Sequence, residues 1–511
     1  MTSLWLSGAR EQGNDADDEP VSGTFDVAVV GAGLTGLTTA VLLAKAGRRV
    51  VVLEARYVGA GTTGHSTAKV SLLQGTRLSA IAGRHDDALL RQYVAGNRAG
   101  QQWLLELCDR EGVPVQRRAA VTYAANTDEV PAARAEHDAA RRAGLDVEWV
   151  EDLDVPFPQA GGVRLADQAQ VDPVAVLDAL TEAARRADVT VRTGARVTDA
   201  HGPDGAVVTS RGTVRAEHVV IATGMPFADR GGFFARMTPE RSYALALEGA
   251  GTGPLDMYLG AGSAGRSVRT TPWRGSEVLL VGGGSHVVGR AKSPRAIVEE
   301  LVSWAHASFP DGEIVARWSA QDYHPIDELP YAGRLLPHAS RALVATGFAK
   351  WGMANAVAAA HVVAGTLGGQ LPDWAPAYDS WSRHELRGLG RGVRVNAEVA
   401  GHLALGYAGA LTSPSRTPAT TGAPDGDDAP APVERRPQEG RGYVRRDGVR
   451  PVAVSTVDGV TCAVSAMCTH LGGVVRWNDE ERSWDCPLHG SRFAADGAVL
   501  EGPATTRLDP A

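Results

Sequence analysis

The spacing of apolar positions changes several times along the 511-residue chain. The first clear segment, FDVAVVGAGLTGLTTAVLLAKAGRRVVVLEA from Phe25, opens on a short apolar run, VAVV, that leads into Gly31, Gly33 and Gly36. Apolar residues then recur at a helical period to about Gly47, and a second run, VVVL, ends at Glu54. That order predicts strand, tight turn, helix, strand. QQWLLELCDREG has the pattern of an amphipathic helix. HVVIATG, at 218–224, reads as a strand ending in a small-residue turn, and ALVATGFAKWGMANAVAAAHVVAG, from Ala342, as strand, loop and small-residue helix. Near the C-terminus, VRRDGVRPVAVSTVDGVTCAVSAMC alternates and turns at DG, as a small β domain does. LTSPSRTPATTGAPDGDDAPAPVERRP, about 411–437, is dominated by Ser, Thr, Pro, Gly and Asp and predicts an extended tether. The helical stretch before it, RHELRGLGRGVRVNAEVAGHLALGYAG, reads as a cap on the domain it follows.

The N-terminal pattern has a chemical reading. Gly31 permits a tight turn, Gly33 lets backbone approach a pyrophosphate, and Gly36 lets helix pack on strand. The free N–H groups of the helix face the phosphates. Glu54, at the end of the second strand, is placed to accept from a ribose hydroxyl. This is a dinucleotide fingerprint in its required context, and it fits NAD or FAD. A second glycine-bearing strand, EVLLVGGGSHVVGR at 277–290, would give a flavin reductase using NAD(P)H. Its glycine spacing is poor, and no strand ending in an acid follows at the right distance.

The C-terminal pattern holds a different chemistry. CTHLGG, fifteen residues between His470 and Cys486, and CPLHGS set one Cys and one His in each of two loops: Cys468 and His470, then Cys486 and His489. A zinc finger puts both cysteines on one loop and both histidines on one helix. Two mixed loops facing each other instead give two thiolates to one iron and two imidazoles to a second, as in a Rieske [2Fe–2S] centre. Gly472, Gly473 and Gly490 allow tight loops, and Pro487 stiffens the second.

Composition narrows the partners. The net charge is −8 with acids and bases mixed, against nucleic acid or a membrane surface as partner. No apolar run approaches the roughly 20 residues of a membrane span. MTSLWLSGAREQGNDADDEP lacks a secretory pattern, and four cysteines are too few for a disulfide framework, so a cytoplasmic location is expected. Cys108 and Cys462 read as buried packing.

Residues 25–370 resemble the D-amino-acid oxidase-like (DAO) FAD-dependent oxidoreductases, which include glycine oxidase, sarcosine oxidase and dimethylglycine dehydrogenase. The fingerprint, the ATG turn and the strand–Gly–helix from Ala342 carry the resemblance. It implies an α/β Rossmann-like FAD-binding domain with an inserted antiparallel β-sheet substrate domain in segments of about 115–165 and 232–330. It places Gly224 in the ATG turn, the Val197 backbone at the adenine, and Gly347, Lys350, Gly352 and Met353 near the isoalloxazine. His65, in GTTGHST, matches a histidine that binds flavin covalently in dimethylglycine dehydrogenase-like members; a noncovalent or structural role is the expectation here. Related enzymes grip a substrate carboxylate with Arg. Arg241, Arg266 and Arg269 fall in the substrate domain, although each reads locally as a solvated surface charge. His324 and Asp327 lie just before the last flavin segment, where Asp327 equally suits a turn cap.

Residues 440–511 resemble Rieske domains, a small all-β fold. Respiratory members have cysteines where Gly473 and Leu488 stand, and those two form a disulfide that cannot form here. The serine that hydrogen-bonds cluster sulfur is present as Ser491; the tyrosine two residues on is Phe493. Fewer donors to sulfur imply a midpoint in the lower part of the Rieske span of about −150 to +300 mV. The whole chain resembles bacterial fusions of the two parts: an extension (1–24), a flavin domain (25–410), a linker (411–437) and a Rieske domain (438–511). The expected activity is oxidation of a small amine or amino-acid-like substrate, with electrons passed singly through the cluster to an external acceptor. An electron-transfer reductase or a redox sensor without its own organic substrate is the alternative.

Overall fold

A computed structural model describes residues 1–6, 20–200, 205–227, 230–251, 253–337, 341–412 and 436–511. Most of the tether expected at 411–437 lies outside the described residues. The chain divides into two compact units: residues 1–286 with 298–393, and residues 287–297 with 394–511.

The first unit is built on two sheets. The strand Thr24–Val30 pairs in parallel with Val50–Leu53 on one side and Gly212–Ile221 on the other. Thr190–Arg192 and Ala342–Thr346 extend the parallel arrangement outward, and Tyr331–Arg334 closes one edge antiparallel. The central strands are apolar on both faces because helices cover them. Leu34–Lys45, Asp87–Glu111, Pro173–Arg186 and Gly352–Gly368 supply buried residues to the same core. The second sheet has nine strands, among them Val115–Tyr123, Gly162–Val171, Met237–Glu248, Ser267–Trp273, Ser276–Val287 and Glu313–Pro325. Most of its pairings are antiparallel, while Met257–Gly260 runs parallel to Val115–Tyr123. The glycine-bearing segment at 277–290 is thus largely a strand antiparallel to Ser267–Trp273, and the strand after it is antiparallel too, unlike the parallel strands of a dinucleotide unit.

The second unit carries two small antiparallel sheets. One is Gly442–Asp447, Arg450–Val457 and Val460–Ser465; the other is Arg476–Asn478, Ser483–Asp485, Arg492–Phe493 and Val499–Glu501. Its core includes Val464, Val475, Trp484, Leu488, Phe493 and Leu508. The helix Leu389–Thr412 corrects the expectation of a cap on the flavin domain. From Arg394 it belongs to this unit, and Val399, Leu403 and Tyr407 pack on the core just described. Residues 287–297, expected wholly within the substrate domain, also belong here. Cys108 is buried as expected, but Cys462 is only partly so. Among the described residues no helix is long and apolar enough to cross a membrane.

Candidate functional site

The glycines of the N-terminal fingerprint are each fixed by a close approach. Gly31 has φ +104°, and a Cβ there would lie 2.8 Å from the Ala222 carbonyl oxygen. A Cβ on Gly36 would lie 1.9 Å from the Gly31 oxygen, so helix and strand touch through bare backbone. At the helix N-terminus the Leu34 N–H donates to Thr63 Oγ1 (3.2 Å), which brings the 62–65 turn to the phosphate end of the fingerprint. Glu54 accepts from the backbone N–H of Ala32 (2.8 Å) and of Arg56 (2.9 Å). Those bonds fix its carboxylate and leave lone pairs for ribose hydroxyls. The Ala195 N–H donates to the Glu54 carbonyl, and Val197 begins a short strand two residues on. Gly224 (φ +78°) and Gly347 (φ +79°) face Tyr323 and Pro325, with Ala349 and Lys350 also left-handed. Gly352 then opens the helix that buries Met353.

The turn bearing His65 is held from outside. Its three successive carbonyls, of Gly64, His65 and Ser66, accept from Ser3 Oγ (2.7 Å), Trp318 Nε1 (2.9 Å) and Trp5 Nε1 (2.8 Å). His65 Nδ1 lies 2.8 Å from the Gly61 oxygen. The N-terminal residues Ser3 to Leu6 are buried, in a cluster with Val278, Leu280 and Trp318.

A polar group gathers beside Lys350. Glu240 Oε2 accepts from Ser285 Oγ (2.8 Å) and lies 3.3 Å from Lys350 Nζ and 3.4 Å from His324 Nε2. Lys350 Nζ also donates to Ser285 Oγ. The Asp322 carboxylate takes the backbone N–H groups of Lys350 (2.6 Å) and Tyr323 (2.7 Å). Burial pushes Asp322 up to about 6. Burial also works to raise Glu240, but the Lys350 amine and the Ser285 hydroxyl beside it outweigh that and hold the carboxyl below its usual range. His324 is pushed down by burial, so it is neutral at pH 7. Asp327 is fully buried, accepting from His384 Nδ1 (2.9 Å) and the Leu329 N–H (3.3 Å), a structural placement that matches its reading as a turn cap.

The three arginines are not solvated surface charges; all are buried. Arg241 donates to Ser319 Oγ (2.7 Å) and Arg266 to Glu300 (2.6 Å). Arg269 is 1% exposed, and its bonds to the carbonyls of Val171 and Thr270 are long, at 3.4 and 3.5 Å. Burial lowers it to about 9. Lys69, which the sequence did not single out, is buried too, donating to the Tyr258 oxygen (2.6 Å) and Ser267 Oγ (2.7 Å), and is lowered by burial to about 7.

In the second unit the two Cys–His loops are copies of one another. In the first, the Cys468 N–H donates to the Gly473 oxygen and the Gly472 N–H to the Cys468 oxygen. In the second, the Cys486 N–H donates to the Ser491 oxygen and the Gly490 N–H to the Cys486 oxygen. Gly472 (φ +71°) and Gly490 (φ +80°) hold the equivalent left-handed positions. The loops bring like to like: the thiols of Cys468 and Cys486 are buried together in the core of the unit, and the imidazoles of His470 and His489 lie 5.1 Å apart at 86°. One pair of sulfurs and one pair of nitrogens suits two metal ions with two protein ligands each.

The sequence pattern of the DAO family, FAD dependent oxidoreductase, matches residues 26–366, and that of the Rieske [2Fe-2S] domain matches residues 432–510. The chain belongs to the DAO family of FAD-dependent oxidoreductases. It is 32% identical over 494 residues to YhfW of Bacillus subtilis, named as a Rieske 2Fe-2S iron-sulfur protein, with 94% of this chain and 92% of that one covered. Its fold is similar to glycine oxidase from Geobacillus kaustophilus (TM-score 0.59, 22% identity, 71% of this chain and 99% of that one). It is likewise similar to L-proline dehydrogenase from P. horikoshii (TM-score 0.58, 17% identity, 73% and 99%). At those identities the two structures establish the fold alone.

This DAO-family oxidoreductase therefore takes FAD and a [2Fe–2S] cluster, and its residues fit both. Gly31, Gly33, Gly36 and Glu54 have the backbone geometry that would cradle a dinucleotide. Cys468, Cys486, His470 and His489 are placed to supply the two-by-two ligand set such a cluster needs. Ser491 Oγ is buried near the Cys468 thiol and accepts the Ala504 N–H (3.0 Å). Phe493 is fully buried opposite Trp484 and offers no hydroxyl. Where a disulfide would tie the loops, a Gly473 Cβ would lie 2.6 Å from the Leu488 side chain, so Leu488 fills that space.

Proposed function

We propose that the protein is a dehydrogenase that oxidises a small amine or amino-acid-like substrate at FAD and passes the electrons one at a time to its own [2Fe–2S] cluster, for an external acceptor. FAD accepts two electrons, as a hydride from a C–H beside nitrogen, whereas the cluster takes one at a time. The observation that carries this reading is the presence, in one chain, of a two-loop cluster site and a flavin fold shared with glycine oxidase and L-proline dehydrogenase.

The chain's own residues have these roles. Asp322 fixes the backbone of Lys350, and Glu240 holds the Lys350 ammonium in place beside neutral His324. Arg269 and Lys69 are buried cations on the substrate sheet with neutral hydrogen-bond acceptors, which suits a substrate carboxylate. His65 is fixed by its backbone and supports flavin noncovalently; flavin released into the supernatant on acid precipitation is the expected result.

The test is anaerobic addition of amines and amino acids to the full protein, with flavin absorbance and the electron paramagnetic resonance of the cluster followed together. Flavin bleaching followed by a reduced-cluster signal supports the relay. Bleached flavin beside a cluster that stays oxidised refutes it. No bleaching by any substrate, with cluster reduction by a soluble electron carrier, favours the electron-transfer reductase.

A further inference from the structure

All four cysteines are free, so no covalent bond joins the two cluster loops. Each loop is instead gripped by a stretch outside the 432–510 Rieske match, within the same compact unit. The second loop is held by residues 287–297. Arg290 Nε donates to the Pro487 carbonyl oxygen (3.0 Å), one residue from ligand Cys486 and two from ligand His489. Gly289 makes the approach possible. A Cβ there would stand 2.7 Å from the Pro487 nitrogen and 2.9 Å from both the Asp485 oxygen and the Cys486 carbonyl carbon. The same stretch is pinned further along, by Ser293 Oγ and the Arg295 N–H on the Asp479 carboxylate (2.9 and 3.1 Å).

The first loop is held by the helix Leu389–Thr412. Tyr407 Oη donates to the Gly472 oxygen (3.0 Å), and a Cβ on Gly406 would lie 3.2 Å from Val474. The two grips are joined, because Arg290 also pairs with Glu398 of that helix (3.1 Å). Nη1 of Arg290 faces the helix while Nε faces the loop, a division of donors that a guanidinium can make.

We propose that Arg290 and Tyr407 are positioning residues that lock the two cluster loops together in place of a covalent tie, and that the Arg290 charge also raises the cluster potential. This goes beyond the electron relay and does not depend on it, since it concerns the cluster whatever reduces it. A cation near the cluster favours the more negative reduced form, so its removal lowers the midpoint. Each loop bond involves a backbone carbonyl, and removing a charged or phenolic donor leaves that carbonyl short of a partner.

The experiment uses the full protein with both cofactors and three variants: Arg290→Met, Arg290→Lys and Tyr407→Phe. Loss of cluster absorbance to an iron chelator and the midpoint potential are measured, with flavin content as the check on folding. Arg290→Met and Tyr407→Phe are each expected to speed cluster loss about tenfold, the factor a hydrogen bond of ordinary strength supports. Arg290→Met is expected to lower the midpoint, Arg290→Lys to restore most of it, and Tyr407→Phe to leave it nearly unchanged. Wild-type loss rates in both Arg290→Met and Tyr407→Phe overturn the lock. An unmoved midpoint in Arg290→Met, or the same drop in Arg290→Lys, overturns the charge effect. If Arg290→Met yields no folded protein, Tyr407→Phe decides the lock, and Arg290→Gln, which removes the charge but keeps a donor, decides the charge effect by whether its midpoint falls.

Discussion

Arg492 sits beneath the second cluster loop, 4% exposed, and holds three carboxylates. Its Nε donates to Asp485 (3.0 Å), and its two terminal nitrogens reach Glu481 (2.8 Å) and Glu501 (3.3 Å). Ser483 Oγ completes the set at 2.9 Å. Burial alone would discharge the guanidinium, but Asp485, Glu481 and Glu501 hold it far above its ordinary value. Arg492→Met keeps most of the apolar stem and removes the charge. Asp485 retains Asn478 (2.9 Å) and Ser483 (2.8 Å), whereas Glu481 loses its cation, and both are almost fully buried. Breaking a buried ion pair from one side costs about 3–5 kcal/mol. A domain of this size has about 5–15 kcal/mol of stability in all. At about 4–8 °C per kcal/mol, the melting point should fall by roughly 12–40 °C. The assay is thermal unfolding of the holoprotein, followed by the visible circular dichroism of the cluster. The deficit should shrink as pH falls toward 5. Stranded buried carboxylates have raised pKa values, so in acid they take up protons in the folded state first. A shift of only a few degrees, or a deficit that grows in acid, would refute the reasoning.

Three further outcomes are expected. Gly36→Ala drives a Cβ to 1.9 Å from the Gly31 oxygen, so the variant should purify without FAD; a stoichiometric flavin-to-polypeptide ratio contradicts this. Glu136 is fully buried, accepting the N–H groups of Leu78 and Ser79, and burial pushes its carboxyl up to about 7 from 4.5. The unfolded chain then releases that proton first, so this group's contribution to stability falls as pH rises from 4.5 to 7; denaturant titrations of Glu136→Gln should lack that fall. Ser491→Ala removes the hydroxyl near the Cys468 sulfur and the acceptor for the Ala504 N–H. It should lower the cluster midpoint and destabilise the unit by about 1 kcal/mol, seen by redox titration and melting; an unchanged midpoint refutes the sulfur contact.

The two cofactor sites were legible because each is written in contiguous residues. Thr24 to Leu53 is one βαβ unit, and each cluster loop closes on itself within six residues. What the sequence concealed depends on pairing across long separations. Arg241 and Arg269 look like ordinary strand charges until the sheet closes over them, with Ser319 and Val171 as partners 78 and 98 positions away. Glu240 and Ser285 become part of the group around Lys350 only once separate strands are aligned. The helix from Leu389 has an apolar stripe that fits either neighbour by pattern alone; the side chains of Val399, Leu403 and Tyr407 decide where it packs.

The capping of successive carbonyls by Ser3, Trp318 and Trp5 carries a practical consequence for engineering. Met1 is solvent-exposed, but the chain is sealed inside the protein two residues later. Removing residues 1–6 would strip two of the three anchors of the turn that contains His65, so that stretch must be kept in any shortened form of the protein.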